Sequence, residues 1–166
     1  MPSKTSPRHR NSSSLWKAEP ACSEKRVLEI ASELAGELQK ADRVLLEGPL
    51  GAGKSTFARQ LLQALKVQQP SEGSPTFAIA HEYRSSKFAV IHVDFYRIKS
   101  EDEIEDAGIP EYFWNKDGIV LSEWTSLFPE FEKSVVESAA SGSRVWRVEL
   151  KIISESERDL EIKLHC

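Results

Sequence analysis

Beyond Pro20 the apolar residues Val27, Leu28, Ala31, Leu34, Ala35 and Leu38 recur at spacings of three and four, and Ser23 stands where an N-cap would. The spacing predicts an amphipathic helix. Arg43 to Glu47 then holds Val44-Leu45-Leu46 without alternation, the pattern of a strand buried on both faces. Gly48 to Gly53 breaks this run, and Phe57, Ala58, Leu61, Leu62 and Leu65 restore a helical apolar face over Thr56 to Leu65. After a loop with Pro70, Gly73 and Pro75, the residues Phe77, Ile79, His81 and Tyr83 alternate as a strand. The polar turn Arg84 to Lys87 separates it from Phe88 to Val93, too short a connection for a crossover, so the two strands are expected to pair antiparallel.

Ser100 and Glu103 have the spacing of a capping box and open a short acidic helix expected to end at Gly108, with Pro110 as its stop. Gly118 to Leu121 reads as another buried strand, ending at Ser122-Glu123-Trp124. Arg144 to Ile152 and Asp159 to Leu164 alternate on either side of a polar loop, a second hairpin. Strands interleaved with helices, plus two hairpins, predict a three-layer α/β fold on a mixed, mainly parallel sheet, whose ligands lie at the carboxyl ends of the parallel strands. No internal repeat or second domain is visible, so 21–166 reads as one domain.

Composition narrows the class. The chain has 166 residues, 40% of them hydrophobic, enough for a core without disulfides. Cys22 and Cys166 lie near opposite ends, which fits a reduced, cytoplasmic protein and offers no zinc-site spacing. No apolar run approaches the roughly 20 residues that cross a bilayer, so no membrane association is expected. The net charge is -4. Residues 1–20 carry Lys4, Arg8, Arg10 and Lys17 against Glu19 alone, leaving 18 basic and 25 acidic residues, a net of -7, in the rest. The Ser-, Pro- and base-rich opening lacks apolar periodicity, and 1–20 is expected to be a disordered basic tail. Four bases with a single aromatic, Trp16, among them make a poor nucleic-acid arm.

The chemistry concentrates after the first buried strand. Gly48-Pro49-Leu50-Gly51-Ala52-Gly53-Lys54-Ser55 satisfies the G-x-x-x-x-G-K-[ST] phosphate-loop pattern in its strand-loop-helix setting, which makes this a P-loop NTPase fold. Backbone N–H groups of Gly48 and Leu50 to Gly53 can wrap a phosphate, the helix N-terminus adds its dipole, Lys54 reaches the β- and γ-oxygens, and Ser55 offers a hydroxyl to Mg²⁺. The metal between those phosphates needs a carboxylate at another strand end. Asp94 follows Val90 to Val93 and Glu123 follows Ile119 to Leu121, and the residues alone leave open which is base and which metal ligand. Asn115-Lys116-Asp117 places its acid one residue too early for a guanine-reading Asn-Lys-x-Asp. His92, inside an apolar strand, reads as a satisfied core histidine or a catalytic one.

The order and separation of Gly51-Ala52-Gly53-Lys54-Ser55-Thr56-Phe57, Ser74-Pro75-Thr76-Phe77, Glu82-Tyr83, His92-Val93-Asp94-Phe95-Tyr96-Arg97, Glu103 with Gly108, and Glu123-Trp124 resemble the TsaE family of ATPases, required for threonylcarbamoyladenosine modification of tRNA. The resemblance covers about residues 24 to 150. It implies an ATP- and Mg²⁺-dependent hydrolase that docks on a TsaB–TsaD complex and resets it, touching tRNA only through those partners and monomeric when alone. Carried over by motif, Lys54 holds the phosphates, Ser55 and Glu123 support Mg²⁺, and Thr56 contacts phosphate. Asp94 is the Walker B-like or water-orienting acid, Thr76 senses the γ-phosphate and Trp124 lies beside the nucleotide. Pro49 stands where the family usually has Asp, and Ser55 where Thr is commoner. Beside these roles, Thr76 can simply start a strand and Trp124 can be a half-buried core edge. Two other classes fit a phosphate loop: a small-molecule kinase, for which Arg84 and Arg97 offer only single lid cations, and a nucleotide-dependent binding module without turnover.

Overall fold

The computed structural model describes residues 12–68 and 79–166. Strand β1 spans Ser13–Ser23, helix α1 Glu24–Glu37, β2 Arg43–Glu47 and α2 Lys54–Ala64. The hairpin β3 Ala80–Arg84 and β4 Ala89–Asp94 follows, then α3 Glu101–Asp106, α4 Ile109–Trp114 and β5 Gly118–Glu123. Helix α5 Pro129–Glu137 leads to β6 Val145–Ile152 and β7 Glu157–His165.

The described residues form a seven-stranded sheet in the order β1-β7-β6-β2-β5-β4-β3. β2 lies at its centre, parallel to both β5 and β6, and β4 runs parallel to β5. The hairpin partners β3 and β7, and the outer β1, are antiparallel to their neighbours. All five residues of β2 are buried, as an unalternating apolar run requires when helices cover both faces. One face packs Val44, Leu46, Val90 and Leu121 under α1 and α2, where Ile30, Leu34, Phe57 and Leu61 are inaccessible. The other packs Leu45, Val93 and Val120 against Phe95, Phe113 and Phe128. The predicted three-layer α/β arrangement and both hairpins are present.

Three expectations are corrected. The tail does not extend to residue 20: Ser13 to Ser23 is β1, paired with β7 from Ser13 opposite His165 to Ser23 opposite Glu157. It is mostly exposed and interrupted by bulges, one of them at Pro20-Ala21, so period-two alternation is absent. What holds it is the main-chain ladder, the edge of Trp16 against Trp146 at 5.7 Å, and ion pairs from Lys17 to Glu33 and Glu19 to Arg26. Residues 1–11 lie outside the described residues.

The acidic helix ends at Gly108 as expected, but Pro110 does not end the helical stretch, because α4 follows at once. Gly108, at φ 66°, terminates α3 in the left-handed conformation and caps α4, with Pro110 in the first turn of α4, where its missing N–H costs no hydrogen bond. Helix α5 was not expected; it begins on Pro129 for the same reason, and Val135 is its buried residue. Ser23 caps α1 and Ser100 caps α3 as the sequence indicates. Both cysteines are free, Cys22 buried and Cys166 exposed.

Arg43 opens β2 and is inaccessible to solvent, yet no carboxylate of the described residues forms an ion pair with it. Its guanidinium donates to the carbonyls of Phe113 (2.8 Å), Asn115 (2.6 Å), Gly118 (3.1 Å) and Asp42 (3.0 Å), tying the α4–β5 connection to the central strand. Burial pushes its pKa down to about 10.

Candidate functional site

The parallel strands β2, β4 and β5 end side by side, and the loop from Gly48 to Gly53 leaves β2 at that edge before turning into α2. Gly48 has φ 141°, and a Cβ there would lie 2.3 Å from the Leu150 carbonyl oxygen, so only glycine lets the chain pass this close to β6. Gly53 caps α2 at φ 102° and supplies no side-chain acceptor, which leaves the first-turn N–H groups of Lys54, Ser55 and Thr56 available to an anion.

Lys54 folds over the loop. Its ammonium donates to the carbonyls of Gly48 (2.6 Å) and Pro49 (2.8 Å) and sits 3.7 Å from the centre of the Trp124 ring. Burial pushes its pKa below the ordinary lysine value, against the opposing pull of Glu123, Glu47 and Asp94. Trp124 reaches this place because it adopts φ 64°, a left-handed conformation that costs a non-glycine residue about 1–2 kcal/mol. The turn that follows is pinned by the Ser122–Thr125 hydroxyl pair at 2.7 Å and by Glu47, which accepts from the N–H (3.1 Å) and hydroxyl (2.5 Å) of Ser126. Tyr96 flanks the tryptophan at 5.1 Å.

Glu123, the last residue of β5, is 2% exposed. One carboxylate oxygen accepts from the Ser55 hydroxyl at 2.8 Å and the other lies 2.8 Å from Nε2 of His92. Burial alone would raise its pKa, but the hydrogen bonds from His92 and Ser55 and the charge on Lys54 outweigh it and hold the group below the usual carboxylate range. Asp94, opposite Glu123 in the β4–β5 register, accepts from the N–H of Tyr96 at 3.0 Å and so starts the turn that carries Arg97. Ser55, His92, Asp94 and Glu123 line one cleft of about 360 Å³, with Arg59 and Arg97 on its walls.

A second pocket, of about 450 Å³, lies on the other side of the first turn of α2, between Gly53 and Thr56, the start of α1 at Lys25, and Arg158 of β7. Arg158 braces the phosphate loop from outside, donating to Ala52 at 3.1 Å and Gly51 at 3.2 Å.

The family model described as "Threonylcarbamoyl adenosine biosynthesis protein TsaE" matches residues 21–160. This chain belongs to the TsaE family. Proteins named tRNA threonylcarbamoyladenosine biosynthesis protein TsaE include one from Aquifex aeolicus, 40% identical over 103 residues, and one from Bacillus subtilis, 41% identical over 101 residues. Each match covers 61% of this chain, and 71% and 61% of the respective relatives. A third, from Rickettsia conorii, is 37% identical over 63% of this chain and 59% of its own length. The chain thus spans about three fifths of the length of several of the TsaE proteins it matches. The crystal structure of Bacillus subtilis YdiB has the same fold, with a TM-score of 0.63 at 24% identity, covering 95% of this chain and 88% of that one.

Of the residues singled out from the sequence, Lys54, Ser55, Glu123 and Trp124 meet within direct contact, and Asp94 lies beside them. Gly48, Leu50, Gly51, Ala52, Gly53 and Thr56 form the loop and first turn around them. Thr76 lies outside the described residues. The sequence reading left His92 undecided and passed over Arg158. His92 and Asp94 fall two apart on β4, and that alternation placed the histidine on the same face as the acid. Nothing in the linear sequence connects Arg158 to a loop 106 residues away.

Proposed function

We propose that this chain is a magnesium-dependent ATPase acting in N6-threonylcarbamoyladenosine modification of adenosine 37 of tRNA, and that its hydrolysis of ATP resets a TsaB–TsaD complex between rounds. The observation that carries the reading is the Ser55–Glu123 hydrogen bond, which joins the phosphate loop to the end of a neighbouring strand. With its proton committed to Glu123, the Ser55 oxygen turns its lone pairs to the cleft, and two hard oxygen donors are what Mg²⁺ takes alongside phosphates. Bound there by Ser55 and Glu123, the ion would neutralise charge on the β- and γ-phosphate oxygens.

The other residues then have defined work. Lys54 exchanges the Gly48 and Pro49 carbonyls for phosphate oxygens, and its ammonium gains from the trade because an anion neutralises it where a carbonyl does not. The N–H groups of the loop and of Lys54, Ser55 and Thr56 bind the same phosphates, and the pocket beside Gly53 and Thr56 has room for the nucleoside. Asp94 accepts a hydrogen bond from the attacking water and orients it in line with the γ-phosphate. No arginine of the described residues contacts Lys54, Ser55 or Glu123, so turnover is expected to be slow alone and faster in the partner complex. The net charge of -7 beyond residue 20 favours tRNA held by those partners, because phosphate neutralisation dominates nucleic-acid affinity.

Single-turnover hydrolysis of ATP in the presence of TsaB–TsaD tests the proposal. Release of inorganic phosphate, accelerated by the partners, is the expected result. Transfer of the phosphate to a metabolite would make the protein a kinase, and nucleotide-dependent docking without phosphate release would make it a binding module; either overturns the reading.

A further inference from the structure

Along β4, Ile91 and Val93 face the phenylalanine-rich layer, while Val90, His92 and Asp94 face the layer of α2. On β5, Leu121 and Glu123 share that second face. His92 is opposite Leu121 in the register, so its ring reaches diagonally to Glu123, two residues further on, and places Nε2 2.8 Å from the carboxylate. An ionised carboxylate can only accept, so Nε2 carries the proton. The two side chains are 18% and 3% exposed, so the contact is mostly shielded and reaches solvent only on the side of the cleft.

A carboxylate at a strand end turns freely about its terminal bond. Here both oxygens are engaged, one by His92 and one by Ser55, and the donor on the first fixes the plane in which the second meets the serine. We infer that His92 is a positioning residue, whose N–H holds the Glu123 carboxylate in the orientation that Mg²⁺ needs beside Ser55. The inference rests on the nucleotide-site reading above. A histidine that merely satisfied itself in the core would influence folding but not the metal dependence.

The test is the midpoint of Mg²⁺ in binding of a fluorescent ADP analogue, a readout independent of turnover, with binding in EDTA and thermal unfolding as controls. His92→Leu removes the donor and keeps most of the volume, and is expected to shift the midpoint upward by about 10–100-fold, as loss of an outer partner of a metal ligand does. His92→Gln, whose amide can reach the place of Nε2, should stay within about threefold of wild type, whereas His92→Asn, one bond shorter, should behave like the leucine variant. The Gln and Asn pair decides the matter if the leucine variant does not fold. An unchanged midpoint in folded His92→Leu or His92→Asn overturns the inference, as does a Gln variant no better than Asn. Wild-type protein that binds the analogue identically with and without Mg²⁺ overturns the nucleotide-site reading itself, and the role of His92 with it.

Discussion

The hydroxyl of Ser55 donates to the Glu123 carboxylate across 2.8 Å, linking two residues 68 positions apart that the phosphate-loop pattern and a strand-end acid had identified separately. Under the proposed function Lys54 would serve binding and Glu123 the charge that develops during hydrolysis, so their loss should separate the two. Lys54→Ala is expected to abolish nucleotide binding. At saturating Mg²⁺, Glu123→Ala and Asp94→Ala should leave nucleotide affinity within a few-fold and slow single-turnover hydrolysis by about 10²-fold or more, the scale for losing one preorganised charge-stabilising group. Normal hydrolysis in both acidic variants, in the partner complex, would show the site to be misplaced.

Arg158 donates to two carbonyls of the Gly48–Gly53 loop, a planar two-point contact that a lysine ammonium does not reproduce. Arg158→Ala should lower unfolding free energy by about 1–3 kcal/mol and weaken nucleotide binding, with Arg158→Lys intermediate. Urea unfolding and nucleotide titration measure the two effects. Stability and affinity both at wild-type values in Arg158→Ala would mean that the brace is idle.

Glu47 is buried at the end of β2, and burial pushes its pKa above the ordinary carboxylate value, in spite of its bonds to Ser126. A raised pKa means that the folded protein binds the proton more tightly than the unfolded chain. Stability therefore falls as the pH rises from the ordinary carboxylate range through the folded pKa, and the loss is complete above it. Glu47→Gln retains an acceptor for the Ser126 N–H and carries no charge. Its stability at neutral pH should equal or exceed that of wild type, and the decline over that window should flatten. A steeper decline, followed by thermal unfolding between about pH 4 and 8, would contradict the assignment.

The architecture was legible wherever one residue type had one physical reason. Val44-Leu45-Leu46 could only be a strand covered on both sides, and Ser100 with Glu103 could only cap a helix start. The candidate site stood out because glycine, lysine and serine at fixed spacing have few other uses before a helix. Edges were harder. β1 is held by main-chain pairing, one tryptophan contact and two ion pairs, so its composition resembled a tail, and Pro20 sits in a bulge that a regular strand would forbid. Pro110 was ambiguous in itself, since the residue that stops one helix also suits the first turn of the next. The contacts of His92 and Arg158 depend on register and on a hairpin folding back, information absent from any local pattern.

The claim that ATP hydrolysis resets the partner complex is tested most directly by reconstituting threonylcarbamoyladenosine formation on tRNA with TsaB–TsaD and this protein. ATP should be compared with a non-hydrolysable analogue in this protein's nucleotide site, with the threonylcarbamoyl donor supplied preformed. Repeated rounds of modification with ATP, and a halt after a single round with the analogue or with Glu123→Ala, is the predicted result. Equal numbers of rounds in all three would contradict the account.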